Sequence, residues 1–421
     1  MKPLLIQHGH VLDPANKIDG VRDLVIADGK IASGSAPKDA DVLDAKGKFV
    51  VPGLIDMHVH LREPGRADKE SITSGTLCAA RGGFTSVVCM PNTSPAADNA
   101  GTIAFIKQRA EAAASVNVFP AGAITKELKG EELAPIGSLK RAGVVAITDD
   151  GHCVQNNDLM RRAVEYAKMF DLPVMDQCQD YNLSAEGVMN EGYWSVSLGL
   201  RGWPAAAEDI IVARNILIAE MADGWIHCQH LSSARSVALV REAKKRGVKI
   251  TAEACPHHFT LTDESCKTYD TNFKMNPPLR TEADRQALLE GLADGTIDCI
   301  ASDHAPHCNY EKEVEFDVAP FGIIGLETEL ALSLALVHKK VLTLQQLVEK
   351  FTVNPAKLLR LAKGTLTVGA DADVTVIDLS REWTYDVTQS ASKSRNSPFH
   401  GRELKGCATA TIVGGKVVWQ L

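Results

Sequence analysis

Eight short apolar runs recur along the middle of the chain, at 54–57, 86–90, 116–121, 144–147, 173–175, 225–228, 248–252 and 297–301. Each is about the length of one buried strand. Between most of them lie stretches with helical periodicity, such as GTIAFIKQRAEAAA, NDLMRRAVEYAKMF and ARSVALVREAKKRG. Strands that alternate with helices of about 10–15 residues build parallel βαβ units, because a parallel partner strand needs a long crossover. Eight units permit a closed (β/α)8 barrel of the TIM-like α/β class. A doubly wound sheet is the competing arrangement, but no glycine-rich phosphate loop follows the first run. The later segment LTLQQLVEKFTVNPAKLLRL has a helical pattern and is expected to pack around the outside.

The two ends of the chain have a different rhythm. LLIQHGHVLD, DLVIADGKIA and DVLDAKGKFVVPG read as short strands with tight turns, and ADGK is a hairpin signal. ADADVTVIDLS and ATATIVGGKVVWQL repeat the style at the other end. Neither end carries enough apolar surface for a core of its own. One small composite β-sandwich built from both termini is the expectation, with residues 1–52 and 358–421 flanking a barrel at 53–357.

Unusual polar residues gather at the C-terminal ends of the central strands, where a barrel builds its active site. The first strand ends in IDMHVHLREPG. His58 and His60 are two apart, so on a regular strand both face the same way. Paired imidazoles at a barrel mouth suit a zinc-class metal. His8 and His10 form a second HxH, read as ordinary residues of a surface strand. The fourth strand ends in TDDG, where one of Asp149 and Asp150 can cap a turn while the other ligates. The sixth offers His227 and His230, of which the latter is nearer the strand end. The eighth ends in ASDHAPH, with Asp303, His304 and His307. An acid here can hold a metal and exchange a proton with its water. Capping acids and packed histidines are the bland reading, but they do not explain why all share one end.

Arg62, Asn92 and Asn276 share that face. An arginine can grip a carboxylate in a forked geometry. Asparagines are commonly turn formers, and beside a metal mouth they can also bond an amide or carboxylate. The segment APFGIIGLET, residues 319–328, is expected to offer the backbone of Pro320, Phe321 and Gly322 to a ring.

The formal net charge is −8, from 45 basic and 53 acidic residues. That argues against nucleic acid as a main partner, which needs a concentrated positive surface. Small anions need only local arginines. The ten cysteines form no CxxC pair and mostly sit in apolar runs, so buried free thiols in a reducing compartment are expected. The N-terminal run is neither a signal peptide nor a membrane span, and no later segment gives about eighteen uninterrupted apolar residues. A cytoplasmic location with no membrane partner is the expectation.

The segments GLIDMHVHLREPG, GGFTSVVCMPNTSP, AITDDG, AEACPHHFTLT, KMNPPLR, ASDHAPH, NPAKLLRL, GADADVTVID and SRNSPFHGRELKG together carry a resemblance. The chain resembles the cyclic amidohydrolase branch of the amidohydrolase superfamily, most closely the dihydroorotases of the long bacterial type, over essentially its full length. The resemblance implies reversible closure of N-carbamoyl-L-aspartate to L-dihydroorotate in pyrimidine synthesis, using Zn(2+) to activate water. It implies His58, His60 and Asp303 as ligands of the more buried metal, Asp150 as a further and bridging ligand, and His230 as a ligand of a second metal. Asp303 would also be the general acid and base. Arg62, Asn92 and His307 would grip the substrate carboxylate, and Asn276 the ring face. A homodimer is implied, with aspartate carbamoyltransferase as a possible partner.

One departure stands out. The fifth strand in such relatives ends in HAED or HCED, its histidine serving the second metal, whereas this chain reads QCQD at 177–180. A glutamine carbonyl is a weak ligand beside an imidazole. The expectation is one tightly bound zinc per chain and a second site weakened by Gln177. Hydantoinases, dihydropyrimidinases and allantoinases bridge two metals through a carboxylated lysine near the fourth strand, and GVVAITDDG contains none. Three readings follow: a dihydroorotase; another cyclic-amide hydrolase such as a hydantoinase or allantoinase; and a non-catalytic or partner-dependent subunit of a transcarbamoylase complex.

Overall fold

The computed structural model describes residues 2–421. Eight parallel strands run in sequence order around a barrel: β1 (Leu54–Val59), β2 (Phe84–Cys89), β3 (Asn117–Gly122), β4 (Ala146–Ile147), β5 (Val174–Gln177), β6 (Ile226–Gln229), β7 (Ile250–Ala254) and β8 (Cys299–Ile300). β1 and β2 are buried at every residue, as strands covered on both faces must be. The barrel closes beyond the last strand. Val59 bridges His304, and His60 N–H donates to the His304 carbonyl at 2.9 Å. Closure is therefore made by the same two segments that carry the histidines and the acid of the mouth.

The helices between strands start and stop on local chemistry. Ser71 caps Ile72–Gly82 by accepting from Ser74 N–H, and Gly83 ends it in the left-handed region at φ 96°. Asn99 and Ser233 cap the helices Ala100–Ala113 and Ala234–Lys245. Side chains fill the barrel interior. Met57, Val88, Met90, Ala121, Ala146, Met175 and Ala301 form one buried cluster with Leu358 and Leu359.

Those two leucines correct an expectation. The segment expected outside the barrel is two helices, Leu344–Phe351 and Val353–Leu358, separated at Thr352, which leaves the helical region at φ −130°, ψ −79°. The first packs outside as expected, with Leu347, Val348 and Phe351 in the outer core against Phe84, while the end of the second brings Leu358 and Leu359 to the barrel floor. Lys350 Nζ donates to the Ile297 carbonyl and Asn354 Nδ2 to that of Asp298. Both acceptors lie just before β8, at the end away from the mouth.

The termini build the small domain together. A four-stranded sheet comes from the N-terminal segment alone, and its ADGK hairpin turns through Asp28 and Gly29, both at positive φ. A six-stranded sheet combines N-terminal strands His10–Asp13, Ile18–Val21 and Phe49–Pro52 with Val374–Thr384, Glu403–Val413 and Lys416–Gln420. Leu4, Ile6, Ile26 and Val50 pack with Val374, Val376 and Ile412 in a separate core. His8 is exposed and paired with Asp44, on this surface and away from the mouth. All ten cysteines are free, eight of them buried. Among the described residues no helix is long and apolar enough to cross a membrane.

Candidate active site

β1 is irregular where it matters. Asp56 pairs with Val87 and Val59 with Cys89, so three steps on β1 match two on β2. This is a bulge, a device that re-aims side chains at barrel rims. Asp56 fixes it from inside, accepting from His58 N–H at 2.9 Å and from the Ser302 hydroxyl. The rings of His58 and His60 end 5.5 Å apart. Their convergence therefore depends on the bulge and on barrel closure as well as on strand alternation.

Each ring is held by one nitrogen. His58 Nδ1–H donates to Glu253 Oε1 at 2.7 Å, and His60 Nδ1–H to Asn92 Oδ1 at 2.9 Å. Both Nε2 atoms are left facing carboxylates. His58 Nε2 lies 3.2 Å from Asp150 Oδ1 and 3.5 Å from Asp303 Oδ1; His60 Nε2 lies 3.0 Å from Asp303 Oδ1 and 3.4 Å from Asp150 Oδ2. His230 Nε2 lies 3.8 Å from Asp150 Oδ1. Histidines that ligate a metal usually donate their other ring N–H in this way, which fixes the ring and leaves the facing nitrogen free.

The donor set fits a cation. His58, His60 and Asp150 form one group of ligating atoms within 4.8 Å of one another, and His58, His230 and Asp303 form another. His58 Nε2 and Asp150 Oδ1 are buried and neither has a hydrogen-bond partner, although they are 3.2 Å apart. A buried imidazole nitrogen and a carboxylate oxygen at this distance, with no well-directed hydrogen bond between them, are spaced to share a cation. The charges agree. Burial pushes the His58 imidazole down, but Asp150, Glu253 and Asp303 outweigh it and hold its pKa well above the usual value. The acid cluster is gathering positive charge. Arg62, His230 and Asp303 all adopt left-handed backbone, at φ 57°, 32° and 46°. Such strain at non-glycine residues concentrates where geometry serves a site.

The two acids of TDDG part company. Asp149 turns inward, accepting from Ile124 N–H at 2.7 Å, Thr125 N–H at 3.0 Å and the Thr125 hydroxyl. Burial lifts its pKa to about 7. Asp150 alone faces the histidines. His227 lies behind the mouth and donates to Glu253 Oε2 at 3.1 Å. Glu253 is the residue that reading the sequence missed. Its only signal was a charged side chain inside the apolar run ITAEA. Cys255, His257 and His258 make a third buried group. His258 Nε2 donates to the Pro277 carbonyl at 2.8 Å, the bond of a packed core histidine.

Cationic groups line the other wall. Arg62 Nε donates to the Pro306 carbonyl at 3.3 Å, and Lys69 Nζ to His307 Nδ1 at 3.3 Å. Burial together with Arg62, Lys69 and Lys312 pulls the His307 pKa down to about 2, so this ring is neutral. Its Nε2–H donates to the Phe321 carbonyl at 2.9 Å. Lys312 Nζ takes the carbonyls of Pro320 and Gly322, at 2.8 and 3.2 Å. Each of the three carbonyls of this loop thus has a partner inside the protein that fixes its direction. Gly322 sits at φ 107°, where a Cβ would come within 2.6 Å of that of Ala305. Asn92 is engaged too: besides His60, its Nδ2 lies 3.3 Å from the Asp150 carbonyl. Asn276 stands beside Gln177, 2.9 Å away.

The Dihydro-orotase-like family model matches residues 47–236, and the Amidohydrolase family model residues 328–419. The dihydroorotase of Pelotomaculum thermopropionicum is 58% identical over 422 residues, covering 99% of this chain and 98% of its own. That of Acetivibrio thermocellus is 52% identical over 419 residues, at 99% and 98% coverage. Among solved structures, the L-hydantoinase of Arthrobacter aurescens superposes with a TM-score of 0.89 at 26% identity, covering 100% of this chain and 96% of that one. The dihydropyrimidinase of Brevibacillus agri gives 0.87 at 23% identity, over 99% and 95%, a likeness of fold. At 58% and 52% identity to these two dihydroorotases over nearly its whole length, the chain belongs to the dihydroorotase family of the amidohydrolase superfamily.

Proposed function

We propose that this metal-dependent hydrolase is a zinc dihydroorotase, reversibly hydrolysing the cyclic amide of L-dihydroorotate to N-carbamoyl-L-aspartate. The observation that carries the reading is the pairing, at one mouth, of a buried His58–His60–Asp150 ligand group with the Arg62 guanidinium. An amidase centre beside a carboxylate grip suits an acidic ring amide. Hydantoinases share the barrel, but full-length identity of 58% to a dihydroorotase against 26% to a hydantoinase favours the acidic substrate.

His58, His60, Asp150 and Asp303 would hold the metal, with His230 serving a second position. Zinc bound there supplies Lewis acidity, which lowers the pKa of a water and stabilises the oxyanion of the opening ring. The chain's own residues do the rest. Asp303, beside both histidines, takes the proton of the attacking water and returns it to the ring nitrogen as the C–N bond breaks. Arg62 and the groups around His307 orient the carboxylate. Asn92 orients His60 and Asp150 and borders the carboxylate site. Asn276 faces the ring, and the Pro320–Phe321–Gly322 loop closes one side.

One zinc per chain is held tightly on this reading. The Gln177 oxygen already accepts from Gly151 N–H at 2.5 Å, and a neutral carboxamide is a weaker ligand than an imidazole. Two tightly held zincs per chain would overturn it. The same feature supports a second reading, a subunit that is non-catalytic alone and active only beside aspartate carbamoyltransferase; a homodimer is proposed on either reading. The deciding experiment is hydrolysis of L-dihydroorotate by the purified, zinc-replete protein alone. Clear turnover supports the dihydroorotase reading. No turnover alone, with turnover restored by the transcarbamoylase, supports the partner-dependent one.

A further inference from the structure

Gln177 ends β5 at the mouth, in the middle of a chain of amides whose orientation is fixed from one end. Gly151 N–H faces Gln177 Oε1. A backbone N–H can only donate, so the atom it meets must be the carboxamide oxygen. The other end of Gln177 is then its NH2. One N–H goes to Gln179 Oε1 at 3.0 Å and the other to Asn276 Oδ1 at 2.9 Å. Gln179 passes the polarity on, donating through Nε2 to Ser184 Oγ at 2.9 Å. Asn276 therefore receives at its oxygen, and its NH2 is turned away from Gln177.

We propose that Gln177 is a positioning residue for ring recognition: it holds the Asn276 carboxamide with its N–H donors presented to an acyl oxygen of the cyclic substrate. This rests on reading Asn276 as a substrate contact. Few side chains can take the role. It needs an acceptor for Gly151 and a donor for Asn276 on one short planar group. Glutamate matches the shape but has no donor. With glutamate there, Asn276 gains by turning its NH2 back toward residue 177, which presents its oxygen to the acyl oxygen, acceptor against acceptor. Methionine has similar length and neither polarity, so it releases Asn276 without adding charge.

The test is steady-state hydrolysis of L-dihydroorotate by Gln177→Met, Gln177→Glu, Asn276→Ala and the double variant Gln177→Met/Asn276→Ala, with zinc content and melting temperature measured for each. Gln177→Met is expected to raise KM roughly 5- to 10-fold, the scale of one lost net hydrogen bond, with kcat nearly kept and zinc content unchanged. Gln177→Glu is expected to raise KM further. The double variant is expected to be no worse than Asn276→Ala alone, because the two residues act as one unit. If the single effects multiply, or Gln177→Met leaves KM unchanged, Gln177 does not act through Asn276 and the proposal is overturned. If zinc is lost in step with the KM change, Gln177 belongs to the metal instead, and the proposal is again overturned. If Asn276→Ala itself leaves KM unchanged, the substrate contact has failed, a result separate from the other two. Should Gln177→Glu not fold, Gln177→Met carries the test.

Discussion

Glu253 accepts the Nδ1–H of His58 across 2.7 Å, and neither side chain has any solvent exposure. The same carboxylate accepts from His227 Nε2, and its Oε1 also faces His230 N–H at 3.3 Å. It therefore fixes one ligand ring and the backbone of a second. Carboxylates behind ligand histidines typically carry 10- to 100-fold in metal affinity. Glu253→Gln is expected to weaken zinc binding by about that factor, read by competition with a chelator of known affinity. Unchanged affinity would remove Glu253 from the metal's support.

Asp303 holds a left-handed backbone at φ 46°, which asparagine tolerates better than most residues. Asp303→Asn therefore changes the proton chemistry with little backbone cost. Turnover of L-dihydroorotate is expected to fall by about 10²–10⁴, the range for a positioned general base. Zinc content measured alongside separates a lost proton carrier from a lost ligand. Near-normal turnover sinks the proton-transfer role.

Arg62 sits where a forked cation can meet a carboxylate. Arg62→Lys keeps the charge and loses the fork, so kcat/KM for L-dihydroorotate is expected to drop at least about tenfold. Dihydrouracil has the same ring amide and no carboxylate. Its hydrolysis, where measurable, should be affected far less. Equal losses on both compounds would mean that Arg62 supports the fold of the mouth and does not read the carboxylate.

Much of this was legible because it is periodic. The eight strand runs and the helices between them follow from apolar spacing, and the HxH, TDD and ASDHAPH residues stand out as polar groups at strand ends. What stayed hidden depends on contacts between distant segments. Nothing in TDDG says that Asp149 meets the 124–125 backbone while Asp150 meets His58. The bulge in β1 depends on Asp56 bonding Ser302, 246 residues away. The helix pair at 344–358 has a periodicity that fits a surface or a floor equally well, and only the apolar interior decides where Leu358 and Leu359 go. Gln177 was read as a weakened ligand from its chemistry alone. Its polarity is set by a backbone N–H from another strand end.

Asp176, one residue before Gln177, forms a buried pair with Arg214 on the helix Ala206–Ala222, at 2.8 Å, and also accepts from Asn215 Nδ2 at 2.7 Å. Removing one partner of a buried pair leaves an uncompensated charge, which typically costs about 3–5 kcal/mol. Arg214→Met is expected to destabilise the fold by about that amount, seen as a lower urea midpoint. Because β5 ends in Gln177, KM should rise as well. An unfolding free energy within about 0.5 kcal/mol of wild type would show the pair to be dispensable.

Lys312 is buried under the loop of Phe321, with Nζ donating to two carbonyls. Burial, reinforced by the nearby Lys274 cation, pulls its pKa down to about 7 from the ordinary lysine value. An unfolded lysine titrates near about 10.4. Between these values the unfolded chain holds a proton that the folded one lacks, so stability rises with pH across the window. Below about pH 7 the folded state must bury the charged form, and the penalty is fully present. Lys312→Met cannot titrate. Relative to that variant, the wild type is expected to gain stability from pH 7 to pH 10, read as the difference in unfolding midpoint at each pH. A pH-independent difference would mean that Lys312 stays charged in the fold, with the two loop carbonyls as its compensation.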